Sequence, residues 1–348
     1  MDQNKINIRS LTLEEIIDFL AKRGEKPFRA KQIWQWIWQR GVTDFNEMSN
    51  LSKNTRELLE NHFYFDKLTI HSQQTAQDGT LKTAWKLLDG SIIESVLIPG
   101  NQKFTVCISS QVGCKLGCKF CATGTLGFKR DLTIGEIFQQ VMAAKQTAET
   151  QGLILSNIVF MGMGEPLLNY NNVLKAIERI TASDGLAMSP YRITVSTAGI
   201  PEKIKQLADD HIRFNLAVSL HAAKEQVRSS LMPINKAYSL KMLADSLIYF
   251  EEKTGIRPTF EYLLLKDIND QLEDAKALAL FCRQFPIKIN LIEYNEVETS
   301  TFQSTPPKSR DEFVKYLEKC NMIVNIRHSK GKDIDAACGQ LAGKTKEK

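Results

Sequence analysis

Residues 114–121 read "CKLGCKFC", three cysteines separated first by three residues and then by two. Thiols at this spacing serve a metal or a cluster, and their number limits which. A closed structural zinc site takes four ligands, and no second Cys/His pair lies near this stretch. Three thiolates can instead hold three irons of a [4Fe–4S] cluster, whose fourth iron is then left open to a substrate. The stretch follows "KFTVCISS" (103–110), a predicted strand, and so occupies the loop at that strand's C-terminal end. In α/β barrels this is where the chemistry is placed.

Working outward, strands alternate with helices from residue 103 onward. Further predicted strands are "NIVFMG" (157–162), "YRITVS" (191–196), "RFNLAVSL" (213–220), "TFEYLLL" (259–265) and "KINLIEY" (288–294). Helices are predicted to begin near Thr133, Asn171, Pro201, Leu240, Gln271 and Ser309. Near-continuous apolar strands separated by helices argue for a parallel sheet covered by those helices. Six such units, with a further strand at "MIVNIR", make a partial α/β barrel. A doubly wound open sheet has the same periodicity and stays open as the alternative at this stage.

Upstream, residues 1–66 read as helical. "SLTLEEIIDFLAKRGEK" offers Ser10 or Thr12 as a cap ahead of an apolar stripe, "PFRAKQIWQWIWQRG" runs from Pro27 to Gly41, and "SKNTRELLENHF" gives a third helix. Three short helices with basic residues suit a small accessory unit able to contact nucleic acid, although Trp and Ile at helical spacing serve a core first. Residues 67–99 change to strand-like pieces with Asp-Gly turns at 78–79 and 89–90, a β extension leading into the core at 100–341. The tail, 342–348, is expected to fray.

The totals fit a globular protein. Of 348 residues 43% are hydrophobic and 24% charged, and the net charge of +5 is compatible with a polyanionic partner without establishing one. No run of eighteen apolar residues exists and "MDQNKINIRS" has no apolar h-region, so a cytoplasmic protein without membrane association is expected. Seven cysteines in such a chain point to reduced thiols, metal binding or catalysis.

The CxxxCxxC spacing followed by an alternating strand and helix array resembles the radical S-adenosylmethionine (SAM) superfamily, which implies a partial (β/α)6 barrel. On that resemblance Cys114, Cys118 and Cys121 ligate a [4Fe–4S] cluster, and the open iron chelates the amino and carboxylate groups of SAM, whose reductive cleavage gives a 5′-deoxyadenosyl radical. "FMGMGEP" ends the second strand and matches the family's SAM-amine-binding "GGE" position, which carries Gly164 and Glu165 over to that role. Ser196 in "ITVSTAG", Ser219, Leu220 and His221 in "VSLHA", and Asn295 after the sixth strand lie where ribose hydroxyls and an adenine edge could be bound. Taken singly, each also fits a strand-end cap.

Beyond the cysteine triad, "KPFRAKQIWQWI", "CISSQVGCKLGCKFCATG", "VFMGMGEPLLN", "ITVSTAGI", "AVSLHA" and "KGKDIDAACGQL" resemble the bacterial adenine-C2 RNA methyltransferases, the RlmN-like group, over residues 26–341. The resemblance implies an N-terminal helical domain and β extension before the barrel, and methylation of carbon-2 of an adenosine in the peptidyl-transferase centre of 23S rRNA and of one beside the tRNA anticodon. It implies two SAM molecules per turnover. One methylates Cys338 by displacement; the other yields the radical that abstracts hydrogen from the S-methyl group. The methylene radical adds to the electron-poor carbon-2, a base removes the carbon-2 proton, and Cys107 attacks Cys338, forming a disulfide and releasing methylated RNA.

Glu94, in "SIIESVLIP", matches the family's proton acceptor, while strand alternation equally allows it to face solvent. Cys282 and Cys320 read as small buried hydrophobes. Lys129, Arg130, Arg327, His328, Lys330 and Lys332 are candidates for phosphate contact, and "RHSKGKD" suggests a mobile loop delivering Cys338. Glu293 stands where many relatives carry proline, which bears on local loop shape. The resemblance further implies a flavodoxin or ferredoxin as electron donor and a monomer. A related group that methylates carbon-8 of the same adenine shares these cysteines, and the full N-terminal helical unit favours carbon-2. A non-catalytic zinc RNA-binding protein is the reading from another class.

Overall fold

The structure, a computed structural model, describes residues 5–297 and 300–342. The expected frayed tail lies outside them except for Ala342. The N-terminal part holds β1 (Ile6–Asn7), α1 (Leu13–Ala21), α2 (Phe28–Trp38), α3 (Lys53–His62) and β2 (Phe63–Tyr64). Thr12 starts α1 through a capping box with Glu15. The aromatic stripe of α2 is core: Trp38 is buried and meets Phe138 edge-on, 5.0 Å between centroids. Arg9 is fully buried and donates Nη2 to Val42 O at 2.7 Å, and Asp66 accepts from Thr133 Oγ1 at 2.7 Å. The helical unit is thereby fastened to the start of the first barrel helix by polar bonds as well as by packing.

Then come β3 (Thr69–Thr75), β4 (Leu81–Lys86), β5 (Ile92–Gly100), β6 (Lys103–Cys107), β7 (Gln111–Gly113), α4 (Ala122–Thr125), β8 (Phe128–Asp131), α5 (Ile134–Thr150) and β9 (Ile154–Phe160). They are followed by α6 (Tyr170–Thr181), β10 (Ile193–Thr197), α7 (Pro201–Asp209), β11 (Asn215–Ser219), α8 (Glu225–Leu231) and α9 (Leu240–Thr254). The chain closes with β12 (Thr259–Leu264), α10 (Leu272–Cys282), β13 (Lys288–Glu293), α11 (Pro307–Lys319) and β14 (Ile323–Arg327). Ten strands form one sheet in the order β14-β13-β12-β11-β10-β9-β6-β5-β4-β3.

That order decides between the two α/β architectures. From β6 to β14 the strands are parallel and follow chain order, without the reversal that defines a doubly wound sheet. Right-handed crossovers advancing in one direction leave their helices on one face, so the sheet curls into a partial barrel. The β extension is continuous with it: β3, β4 and β5 add antiparallel strands at the β6 edge. α6 shows how the helices cover the outside, burying Val173, Ala176, Ile177 and Ile180 at helical spacing. Each such Val or Ile contributes about 1.5–3 kcal/mol of burial. The antiparallel pair β7–β8 brackets the cysteine loop, and neither it nor α8 is evident from periodicity. Among the described residues, no helix is long and apolar enough to cross a membrane.

Candidate functional site

The three clustered cysteines sit between β7 and α4. Cys114 N donates to Gly127 O at 2.8 Å, which closes the loop against the turn before β8, and Cys121 N donates to Cys118 O at 3.2 Å. All three thiols line one cavity of about 170 Å³ at the C-terminal ends of the barrel strands. Burial pushes Cys114 up to about 12 and raises Cys118 and Cys121 as well. Three thiolates are therefore stable here only against bound positive charge. Among the described residues, no three His, Cys, Asp or Glu side chains converge as the ligands of one metal ion do. Three thiols lining one cavity are the number that a [4Fe–4S] cluster with one open iron takes from its protein.

The opposite wall comes from the strand ends. Gly164 has φ +100°, and a Cβ there would lie 2.5 Å from Gln111 Cβ, so only glycine lets this backbone reach the cavity. Glu165 is buried and accepts from Leu167 N at 3.0 Å and from Ala198 N at 2.8 Å. Burial raises its pKa to about 7 against the opposing pull of the Ala198 and Leu167 amides and the Thr197 hydroxyl. Such a carboxylate in a closed pocket is completed by a cation.

Ser196, Ser219 and His221 line the same space, whereas Leu220 is wholly buried beneath it. His221 accepts from Leu263 N at 3.0 Å through Nδ1, and burial with nearby Arg228 lowers its pKa to about 3. It is therefore neutral and carries its proton on Nε2, as a hydrogen-bond donor. Asn295 does not line this cavity. Its Nδ2 donates to Ser329 Oγ at 2.8 Å, while its Oδ1, like the OH of the cavity residue Tyr294, is buried without a partner among the described residues. Unpaired buried polar atoms beside a cavity mark a place for a polar ligand. Thiols, carboxylate, glycine and orphaned polar oxygens together fit a cluster and an amino-acid-bearing cosubstrate.

Cys338 is the junction of the site. It is surrounded by protein, yet its surface is open because it faces two cavities. One is the space shared with Cys114, Cys118 and Cys121; the other, of about 100 Å³, it shares with Cys107 and Arg327. Cys107, at the end of β6, lies opposite Val96, which lies opposite Lys82. Burial raises both thiols, and Arg327 works the other way on each.

Glu94 lies two residues before Val96 and hence on the same face of the sheet as Cys107. It is only 1% exposed, accepts from Ala342 N at 2.9 Å and stands 3.7 Å from Lys82 Nζ, so it is not the solvent-facing residue that alternation allowed.

Sequence reading passed over Glu261 and Phe120. Glu261 on β12 lines the cavity, accepts from Asn290 Nδ2 at 2.9 Å and from Arg327 Nη1 at 3.3 Å, and could have been found as the one carboxylate inside "TFEYLLL". Phe120 packs edge-on to His221 at 4.6 Å. The proposed phosphate contacts are mostly engaged elsewhere. Arg130 grips Glu136 through two bonds of 2.8 Å and Asp89 at 2.9 Å, Lys129 reaches Ser91 Oγ at 2.6 Å, and Arg327 faces inward to Glu261. A larger groove of about 620 Å³ lies between β3–β4 and α5, but it holds no thiol and only Arg40 and Glu47 as charged lining residues. The chemistry belongs to the smaller cavities.

Comparison with known proteins agrees with this geometry. Residues 6–65 match the "Ribosomal RNA large subunit methyltransferase N-terminal domain" and residues 108–282 the "Radical SAM superfamily". A probable dual-specificity RNA methyltransferase RlmN of Flavobacterium psychrophilum is 48% identical over 99% of this chain and 99% of its own. Its counterpart in Cytophaga hutchinsonii is 50% identical over 96% and 92%. The crystal structure of a radical SAM methyltransferase from Sphaerobacter thermophilus superposes with a TM-score of 0.93 at 38% identity, covering 97% of this chain and 100% of that one. Radical SAM enzymes in general use SAM with a [4Fe–4S] cluster, and an RNA methyltransferase acts on RNA. With cysteine loop, partial barrel and helical N-terminal unit all matched over nearly its whole length, the chain belongs to the RlmN family of radical SAM RNA methyltransferases.

Proposed function

We propose that the enzyme methylates carbon-2 of an adenosine in the peptidyl-transferase centre of 23S rRNA, and of an adenosine beside the tRNA anticodon, with Cys338 as carrier of the transferred carbon. The observation that carries this reading is the position of Cys338, one sulfur lining both the cavity of the three clustered thiols and that of Cys107. A sulfur so placed can take a methyl group on one side and be attacked on the other.

Cys114, Cys118 and Cys121 would hold the cluster. When bound, the cluster supplies the electron that cleaves SAM. Glu165 would accept from the SAM ammonium, at the turn that Gly164 keeps open. Ser196, Ser219 and the Nε2–H of His221 would meet the nucleoside, with Leu220 as backing and Asn295 closing the rim. Cys338 thiolate would attack the methyl carbon of SAM, forming an S–CH3 bond as S-adenosylhomocysteine leaves with the electron pair of the broken C–S bond. Carbon-2 of adenine lies between two ring nitrogens and is electron-poor, so it receives the carbon as a radical and not by attack on a sulfonium. Glu94 takes the carbon-2 proton, and the odd electron that radical addition leaves on the ring would return to the cluster, so that the adduct is closed-shell before the next step. Cys107 thiolate then forms an S–S bond to Cys338 as the S–C bond breaks, the electron pair leaving with carbon, which is protonated. The target base must be unstacked to reach these groups.

Residues 1–66 would contact RNA, with 67–99 as β extension and 100–341 as catalytic core. A flavodoxin or ferredoxin would supply electrons to a cytoplasmic monomer. The test is nucleoside mass spectrometry of 23S rRNA and tRNA treated with the purified, reduced enzyme. 2-Methyladenosine is expected in both, and 8-methyladenosine would move the target to the other carbon. Anaerobic enzyme is further expected to carry about four irons per chain and an EPR signal altered by SAM. Zinc without iron would place the chain's activity in another class.

A further inference from the structure

We propose that the tip of the β3–β4 hairpin is a latch that sets the reach of Cys338, with Asp78 as its positioning residue. The inference rests on the reading of Cys338 as carrier of the methyl group. The sequence suggests a mobile loop for this cysteine; the structure shows that loop fastened on both sides of it.

On the upstream side the partner is the turn "AQDGT" (76–80), closed by Ala76 N to Thr80 O at 2.8 Å. Asp78 divides its carboxylate between the two segments. Oδ1 accepts from Thr80 N at 2.9 Å within the turn, and Oδ2 accepts from Gly331 N at 3.1 Å in the Cys338 loop. A reciprocal bond runs from Gln77 N to Asp333 Oδ2 at 3.0 Å, and Lys82 Nζ donates to Asp335 O at 3.3 Å. The fit is close: Gly331 has φ +65°, and a Cβ there would lie 2.8 Å from Ala336 Cβ and 2.9 Å from Thr80 Cγ2. On the downstream side Ala122 N donates to Gly339 O at 2.7 Å and Thr123 Oγ1 to Leu341 O at 2.5 Å, which ties the loop to the helix that follows the clustered cysteines.

Cys338 thus hangs between an anchor on the β extension and an anchor on the cysteine loop, over the space where its two partners open. Directed displacement requires the sulfur within a few tenths of an ångström of its line of attack, and a loop free at one end samples far more positions than that. The outer strand of the extension, β3, is almost entirely exposed and adds little core. Presenting the latch gives this hairpin a task that core packing does not.

The test uses the iron–sulfur-loaded full-length enzyme and compares Asp78→Ala, Asp78→Asn and Asp333→Ala with wild type. Amide hydrogen exchange by mass spectrometry is expected to rise at least about tenfold in peptides covering 328–342 for both alanine variants, with β9–β12 unchanged. Single-turnover transfer to RNA is expected to fall by a similar factor. Asp78→Asn offers one acceptor oxygen to the two amides that the carboxylate serves, so exchange and transfer are both expected between wild type and Asp78→Ala and in the same order, which general damage to the turn would not produce. Wild-type exchange in Asp78→Ala, or unchanged transfer despite faster exchange, would overturn the latch. The exchange measurement stands apart from the Cys338 assignment, which instead fails if Cys338→Ala still methylates RNA.

Discussion

Cys107→Ala enzyme, given SAM, reductant and RNA, is expected to accumulate a covalent protein–RNA adduct, whereas Cys338→Ala forms none. Both variants should lose multiple-turnover activity by at least about a thousandfold, the scale seen when a covalent nucleophile is removed. The asymmetry follows from which bond each sulfur makes. Without Cys338 no thiol faces both cavities, since the other sulfur that lines both, that of Met161, is a thioether with no proton to lose, and the carbon never reaches the protein. Without Cys107 the carbon reaches adenine but remains bonded to Cys338, because the only other thiols lining the space beside it, those at 114, 118 and 121, are assigned to the cluster. Both substitutions are structurally mild. Cys107 to Ala removes one sulfur from a buried strand end, and Cys338 lies in a loop held by backbone bonds on either side. Denaturing gels of labelled RNA read the outcome directly. An adduct from Cys338→Ala, or none from Cys107→Ala while product still forms, would remove both assignments.

How much of this was legible in the sequence varies with the kind of interaction. The barrel strands stand out because both faces of each are covered, so "RFNLAVSL" and "TFEYLLL" are near-continuous apolar runs. Their order is not legible, since pairing is a long-range property that local pattern does not encode, and only the sequential order excludes a doubly wound sheet. The cysteine triad is legible because ligand spacing is local. Glu94 is not, because alternation places it on one face of β5 without saying that the face is covered by Lys82 and the Cys338 loop.

The basic residues show the same limit from the other side. Arg130 looks like a phosphate contact in sequence, yet it locks the capping box of α5 through Glu136. Glu293 shapes its loop by charge. It accepts from Arg310 Nη1 at 2.7 Å and Lys332 Nζ at 3.3 Å, and although burial alone would raise its pKa, these bonds hold it below the ordinary carboxylate range.

Arg228→Met is expected to destabilise the protein by about 3–5 kcal/mol, the summed cost of leaving several buried oxygens without their donor, and to weaken SAM binding at the same time. Arg228 on α8 is 0% exposed. Its guanidinium is shared among loops: Nε donates to Leu220 O at 3.1 Å, Nη1 to Asn235 Oδ1 at 2.6 Å, and Nη2 to Ala198 O at 2.7 Å and Ser219 O at 3.4 Å. Burial lowers its pKa to about 10, so it remains a cation at neutral pH. Methionine fills much of the volume but leaves those carbonyls buried without a donor, each at about 1–3 kcal/mol.

The functional consequence follows from which carbonyls they are. Ala198 presents the amide that holds Glu165, and Ser219 and Leu220 lead into His221, so one side chain sets two walls of the cavity proposed to hold SAM. Lysine cannot replace it, since an ammonium lacks the planar fork that spans these loops. Denaturant midpoints and equilibrium dialysis with SAM check the two halves of the expectation, with exposed Arg257→Met as a control expected within about 0.5 kcal/mol of wild type. A stable Arg228→Met protein that bound SAM normally would mean that the strand ends keep their shape through packing alone.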